Sequence, residues 1–442
     1  MKDASLKYAA GFLMIMLTIG LGYFVERSQF FLLISGIFIF FIIYLSTFQY
    51  FKKEQDIWFF IGLGVLLRLI LLFSLPNLSD DIYRFIWDGR LLVSGINPFD
   101  QLPSFYMEQG ISIPGINQPL YQLLNSPNYF TIYPPVCQGI FAFAVWLFPD
   151  SILGSSIVIK SIFLFFEIGT IALMIQLLKH FMLPLRNVLL YILNPLIILE
   201  LIGNIHFEAA MLFFLFLAIY LLVKSKVYLS SVFIAFSIAS KLLPLMYLPF
   251  LIKRLGWKKS IYYFTLMGIV LLLLFYPILN GVFFNNIGSS LSLYFQKFEF
   301  NASIYYFLRW IGYQISGYNL ISILGPILAL IVLISICWTS WREEDLRIEQ
   351  LPLLILFSLT LFLFCTTTVM PWYLSTLIAV CIFTPFRFPI LWSALIFLTY
   401  INYSYSPYFE NLWIVGIEYL WVIGWMVFEI KKYGFHFKKE LS

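Results

Sequence analysis

Roughly a dozen apolar runs, many near the length that a bilayer demands, follow one another along this chain, and its Lys and Arg residues gather in short clusters between them. A run of about 20 apolar residues crosses the hydrocarbon core as a helix, because each backbone polar group there must be satisfied within its own segment. Composition agrees. Of 442 residues, 62% are hydrophobic and only 11% charged, which excludes an ordinary soluble domain. The net charge of +5 does not point to nucleic acid, since no basic run is long enough; the clusters read as orientation signals. The sequence therefore describes an all-α polytopic membrane protein, with residues 1–442 as a single integral-membrane domain. Cys137, Cys337, Cys365 and Cys381 show no CxxC spacing and read as small packing residues. Lys2 and Lys7 precede a run too long for a signal peptide, with no A-x-A site after it, so it reads as an uncleaved first span.

Length and charge bias give a topology. Runs at 8–24 and 29–45 form a hairpin returning to Lys52 and Lys53, which predicts a cytoplasmic N-terminus. A third run, 58–75, delivers a long first outer loop, 76–132. The run at 136–148 is short and bracketed by prolines, and reads as a lateral or re-entrant helix. Runs at 157–178, 188–202 and 209–223 place the turn from Gly203 to Glu208 on the outer side. Between Lys226 and Lys253 both flanks are basic, so two half-length helices should meet near Lys241, with its ammonium toward the outer side. A span at 262–279 leads to a second outer loop, 280–317, with an amphipathic piece at 304–315. Further runs at 320–338, 352–365, 374–383, 390–400 and 412–428 follow, and Lys431, Lys432, Lys438 and Lys439 predict a cytoplasmic C-terminus. Roughly 12–14 crossings are implied.

Within this apolar chain one stretch concentrates charge. Residues 79–99, SDDIYRFIWDGRLLVSGINPF, hold Asp80, Asp81, Arg84, Asp88 and Arg90. On a helix, Asp80, Asp81, Arg84 and Asp88 share one arc and Ile82, Phe85, Ile86 and Val93 another, the pattern of an interfacial helix in the first outer loop. Gly95 and Asn97-Pro98 end it. The predicted topology brings to the same side His206, Glu208, Lys241 and the turn Trp372-Tyr373. Carboxylates beside cations at headgroup level suit a reaction on a phosphate-bearing lipid: a carboxylate takes a proton from an attacking hydroxyl while cations hold the departing phosphate. Each residue also has a plainer role. Ser79 or Asp80 can cap the helix, Arg84 and Asp88 can pair at i, i+4, His206 can close a turn, and Trp372 and Tyr373 can belong to an interfacial belt. Lys241 is harder to place that way, because an ammonium within an apolar run needs a partner.

The stretch at 79–99 resembles the first-loop motif of bacterial polyprenyl-phosphate-mannose-dependent mannosyltransferases of the GT-C glycosyltransferase superfamily. Shorter similarities follow in order: YPP at 133–135, NPL with GNIHFEAA within 194–210, SKLLPLMYLP at 240–249 and MPWYL at 370–374. The resemblance departs from the family's pattern at His206-Phe207-Glu208 and at Met370. It implies a GT-C-like bundle and transfer of a sugar, mannose by resemblance, from a polyprenyl-phosphate donor to a hydroxyl of a glycan or glycolipid on the extracytoplasmic face of the cell membrane. It implies Asp81 as the catalytic base with Asp80 beside it. Lys241, Arg84, Arg90 and His206 are then candidates for the donor phosphate, and Asp88, Glu208, Asn204, Trp372 and Tyr373 for substrate. Asp80 and Asp81 could hold Mg²⁺ or Mn²⁺, but a metal-free site with Arg and Lys on the phosphate fits the residues equally well. A lipid or sugar transporter or flippase is the competing reading; it predicts midplane charges and inverted repeats, and no repeat is visible.

Overall fold

The computed structural model describes residues 2–434; Lys438 and Lys439 lie outside the described residues. Among those described, helices account for every extended element, and pairing between extended segments is limited to two isolated bridges. Among the described residues, eight helices are long and apolar enough to cross a membrane: Ala4–Tyr23, Phe30–Tyr50, Glu54–Phe73, Ile152–His180, Trp257–Ile278, Ile321–Arg342, Ile348–Cys365 and Leu412–Tyr433. The remaining apolar runs form shorter helices or one bent pair. The chain is a multi-pass, all-α membrane protein.

The first helices, α1 (Lys2–Tyr23), α2 (Phe30–Tyr50) and α3 (Glu54–Ile70), pack as the expected hairpin and its successor. Ion pairs mark the two ends of this unit: Lys7 bonds Asp56 at 2.8 Å, and at the opposite end Arg27 of the α1–α2 turn bonds Asp80 at 2.5 Å. After α3 comes α4 (Asp81–Val93), then the short helices α5 (Pro103–Glu108) and α6 (Gln118–Gln122). Next, α7 (Pro135–Leu147) is the short helix foreseen between prolines. It lies against α4 so closely that a Cβ at Gly89 would stand 2.7 Å from the Phe141 carbonyl oxygen, which explains a glycine in mid-helix. Stacked Phe85 and Phe141 rings, 4.5 Å apart, fill the same interface. Long α8 (Ile152–His180) completes this layer.

Two apolar runs behave differently from each other. The run at 188–202 is not one continuous helix: Leu185–Ile192 and Ile197–Gly203 meet at 57°. Pro195 supplies the reason, since it has no N–H to give and displaces the residue before it from the α region. Past the bend the backbone widens into a π-type turn over Ile197–Gly203, a form frequent at functional positions. The run around Lys241 follows expectation: Val227–Ser240 ends at Lys241, whose backbone is extended at φ −161° and ψ 134°, and Pro249–Leu255 resumes the helix.

Candidate active site

Asp80 stands where a helix cap would, yet its side chain makes no capping hydrogen bond. Its Oδ2 accepts from the Arg27 guanidinium instead, a charge-assisted bond that outcompetes neutral backbone N–H groups. Of the two capping candidates it is Ser79 that meets the helix start: its Oγ accepts from the Asp81 amide at 3.3 Å. Asp81 Oδ1 accepts from the Asn125 amide at 2.8 Å, and both carboxylates are half-buried. The same Arg27 lies over the Tyr403 ring at 5.0 Å, and Tyr403 is within electrostatic reach of Asp80, Asp81 and Glu200.

A second group arrives from the turn after the π-type segment. Asn204 is buried, and its Oδ1 accepts from the Leu78 amide at 3.0 Å, tying this turn to the segment that enters α4. His206 stacks on Trp372 with ring centroids 3.7 Å apart and planes 16° from parallel. Trp372 meets Tyr373 edge-on, and Lys241 Nζ sits 4.5 Å above the Tyr373 ring. Lys241 also pairs with Glu208. That pairing corrects one step of the sequence argument: the ammonium already has an anionic partner from the protein and does not need a lipid phosphate to be tolerated. Asp80 and Asp81 thus form one group, His206, Trp372, Tyr373, Lys241 and Glu208 a second, and the Asn204 bond to Leu78 ties together the segments that carry them.

Arg84, Asp88 and Arg90 are spent elsewhere. Arg84 Nε donates to Asp88 Oδ1 at 2.8 Å, and its Nη1 to the carbonyls of Ser126 and Tyr129 at 3.1 and 2.9 Å. Asp88 Oδ2 accepts from Gln138 Nε2 at 3.1 Å. Arg90 reaches the carbonyls of Gly115 and Pro149 at 2.5 and 2.8 Å. All three side chains are buried. The Arg84–Asp88 part of the polar arc faces protein, because α7 and the loop after α6 cover it. These residues fasten the first loop to its own helix.

Sequence reasoning passed over Arg27, Asn125, Glu200, Tyr400 and Tyr403. Glu200 had a signal, since a carboxylate inside an apolar run is as costly as the Lys241 ammonium. Arg27 had a weaker one: it sits in the turn between two spans and so belongs to the same side as Asp80. No short-range pattern announces Asn125 or Tyr403. As for a cation, among the described residues no group of three or more His, Cys, Asp or Glu side chains converges to hold one. The donors around Asp80 and Asp81 are a guanidinium and an amide.

The arrangement can orient one carboxylate, restrain its neighbour and offer cationic and aromatic groups beside them. No curated protein matches the chain. A family model does: MptA_B family, α-(1→6)-mannopyranosyltransferase N-terminal domain, matches residues 12–256, more than half of the 442. That match contains Arg27, Asp80, Asp81, His206 and Lys241. The chain belongs to the MptA_B mannosyltransferase family and is a GT-C-like, multi-pass membrane glycosyltransferase.

Proposed function

We propose that the protein moves mannose from a polyprenyl-phosphate donor to a hydroxyl of a glycan or glycolipid acceptor, with inversion, at the extracytoplasmic face of the cell membrane, both termini being cytoplasmic. One observation carries this reading: two adjacent half-buried carboxylates differ in their restraint, Asp80 bound by a guanidinium and Asp81 oriented through one oxygen by an amide. Among the described residues, Asp81 Oδ2 has no hydrogen-bond partner, which leaves it for an acceptor hydroxyl. In the step, Asp81 takes the hydroxyl proton as the acceptor oxygen attacks the anomeric carbon. The bond from that carbon to the phosphate oxygen breaks, and the polyprenyl phosphate leaves with the electron pair as an anion. A phosphate needs no proton in order to leave, so a single base suffices. Lys241 and His206 are assigned to the donor phosphate; Asn204, Glu208, Trp372 and Tyr373 to substrate.

The test is to incubate purified protein with radiolabelled polyprenyl-phosphate mannose and membrane lipid extract and follow the label. Transfer to a glycan or glycolipid supports the reading. Label that stays on the polyprenyl phosphate, and only changes leaflet when the protein is in vesicles, would establish the flippase instead. The sidedness is tested at Gln109, which is exposed in the first loop. Gln109→Cys should react with an impermeant maleimide added outside intact cells; reaction only after the cytoplasm is opened would invert the topology.

A further inference from the structure

The π-type turn buries a carboxylate that the reaction outlined above does not use. Glu200 is completely inaccessible. Tyr400 donates to its Oε1 at 3.0 Å, and Asn204 Nδ2 lies 3.4 Å from its Oε2. His206 Nε2 also approaches Oε2, at 3.2 Å, but out of line, so this buried nitrogen makes no hydrogen bond. Between the two acidic and basic residues the backbone takes an unusual form. Ile205 has φ of +61°, which a β-branched side chain rarely adopts and which costs on the order of 1–3 kcal/mol. That conformation turns the chain so that His206 faces back toward Glu200, while Trp372 covers the imidazole face.

We infer that Glu200 is a positioning residue for donor binding: it waits 3.2 Å from His206 Nε2, takes that nitrogen's hydrogen bond when the donor binds, and leaves Nδ1 as the ring nitrogen presented to the donor's phosphate. The inference rests on the proposed lipid-phosphate donor. A carboxylate without solvent needs a charged or strongly donating partner, and of the three groups at Glu200 only the imidazole can carry positive charge. A phosphate on the other side of the ring completes an anion–cation–anion sandwich, which aligns Nε2 with Glu200 as the donor enters. Stacking on Trp372 fixes the ring plane, so the carboxylate has only to set its rotation. Glu200 itself touches no substrate.

Binding and turnover of full-length protein in lipid nanodiscs test this, with polyprenyl phosphate as the probe for binding and radiolabelled polyprenyl-phosphate mannose for kinetics. Glu200→Gln should raise the polyprenyl-phosphate Kd and the donor KM by about tenfold with kcat within about threefold, the loss typical of a misdirected hydrogen bond to a charged group. Glu200→Asp should recover part of it. In a His206→Gln background, Glu200→Gln should add nothing, because its effect passes through the imidazole. Additive losses, or a fall in kcat at unchanged KM, would overturn the inference. Should Glu200→Gln not fold, Tyr400→Phe removes the hydrogen bond on Oε1 and should raise the donor KM about threefold; an unchanged KM would equally overturn it. Wild-type protein that binds no polyprenyl phosphate at all would instead defeat the proposed donor.

Discussion

Arginine–carboxylate pairs stand in contrasting surroundings in this molecule, one sealed in the bundle and one open at its end. In mid-bundle, Arg68 and Glu167 meet at 3.0 Å with neither side chain exposed. Arg68 Nη1 serves the carbonyls of Gly64 and Ile192, and Tyr191 donates to the other Glu167 oxygen at 2.6 Å. At the end of the bundle, Arg27 and Asp80 meet at 2.5 Å with side chains 33% and 38% exposed, and Asp81 stands beside them. The interior pair has both carboxylate oxygens occupied and no route for a substrate. The outer pair leaves access, and next to it a carboxylate with an oxygen to spare. An arginine–carboxylate pair is thus closed off within the spans in one place and left accessible in the other.

The sharpest way to break this comparison is at Asp81. Asp81→Asn keeps the shape and the Asn125 contact to Oδ1 but removes the base, so turnover should fall by about 10²–10⁴-fold while donor binding and thermal stability hold. Asp80→Asn should cost less, since Asp80 already serves Arg27. Steady-state transfer assays on the two variants decide it. A dead Asp80→Asn beside an active Asp81→Asn would exchange the roles, and two active variants would remove this pair from the chemistry.

Glu167→Gln probes the other side. Leaving Arg68 buried without its counter-charge should cost about 3–5 kcal/mol of stability, read as a lower midpoint of thermal unfolding in detergent. Turnover per folded molecule should stay within a few-fold of wild type. A loss per folded molecule as deep as that of Asp81→Asn would mean that the interior pair belongs to the site and that the comparison is wrong.

These contrasts also explain what could be read from the chain alone. Apolar runs, the break at Lys241 and the helix within 79–99 were legible because each is set by local residues: hydrocarbon length, an ammonium between half-helices, a proline after an amphipathic run. The fate of the charges on that helix was not. A helical wheel puts Arg84 and Asp88 on one arc, but it cannot say that the loop at 126–131 folds back over that arc and gives Arg84 two carbonyls. Likewise local residues leave Ser79 and Asp80 as equal capping candidates, because Arg27, which claims Asp80, lies 53 residues away along the chain. The bend at Pro195 could have been foreseen from proline chemistry, whereas the positive φ at Ile205 could not, since an isoleucine there contradicts every local preference.

A third pair extends the comparison to its weak limit. In the loop between Ile321–Arg342 and Ile348–Cys365, Arg347 grips Asp345 through Nε at 2.8 Å and Nη2 at 2.5 Å, with side chains 55% and 41% exposed. The Arg347 hydrogen bonds hold the Asp345 carboxyl at about 2, below its ordinary value of 3.8, although partial burial opposes them. A carboxyl whose folded value is depressed favours the folded state above its unfolded value, and that contribution disappears as pH falls through the folded value. Asp345→Asn should therefore lower the thermal midpoint by a small amount, within roughly 2 °C, that is constant from neutral pH down to about pH 5. The difference from wild type should then shrink between about pH 4 and pH 2, and added salt should reduce it at any pH. Thermal scans of both proteins across that range measure it. A drop as large as that of Glu167→Gln, or one that persists at pH 2, would show that exposure does not rank these pairs and that something other than their charge holds the loop.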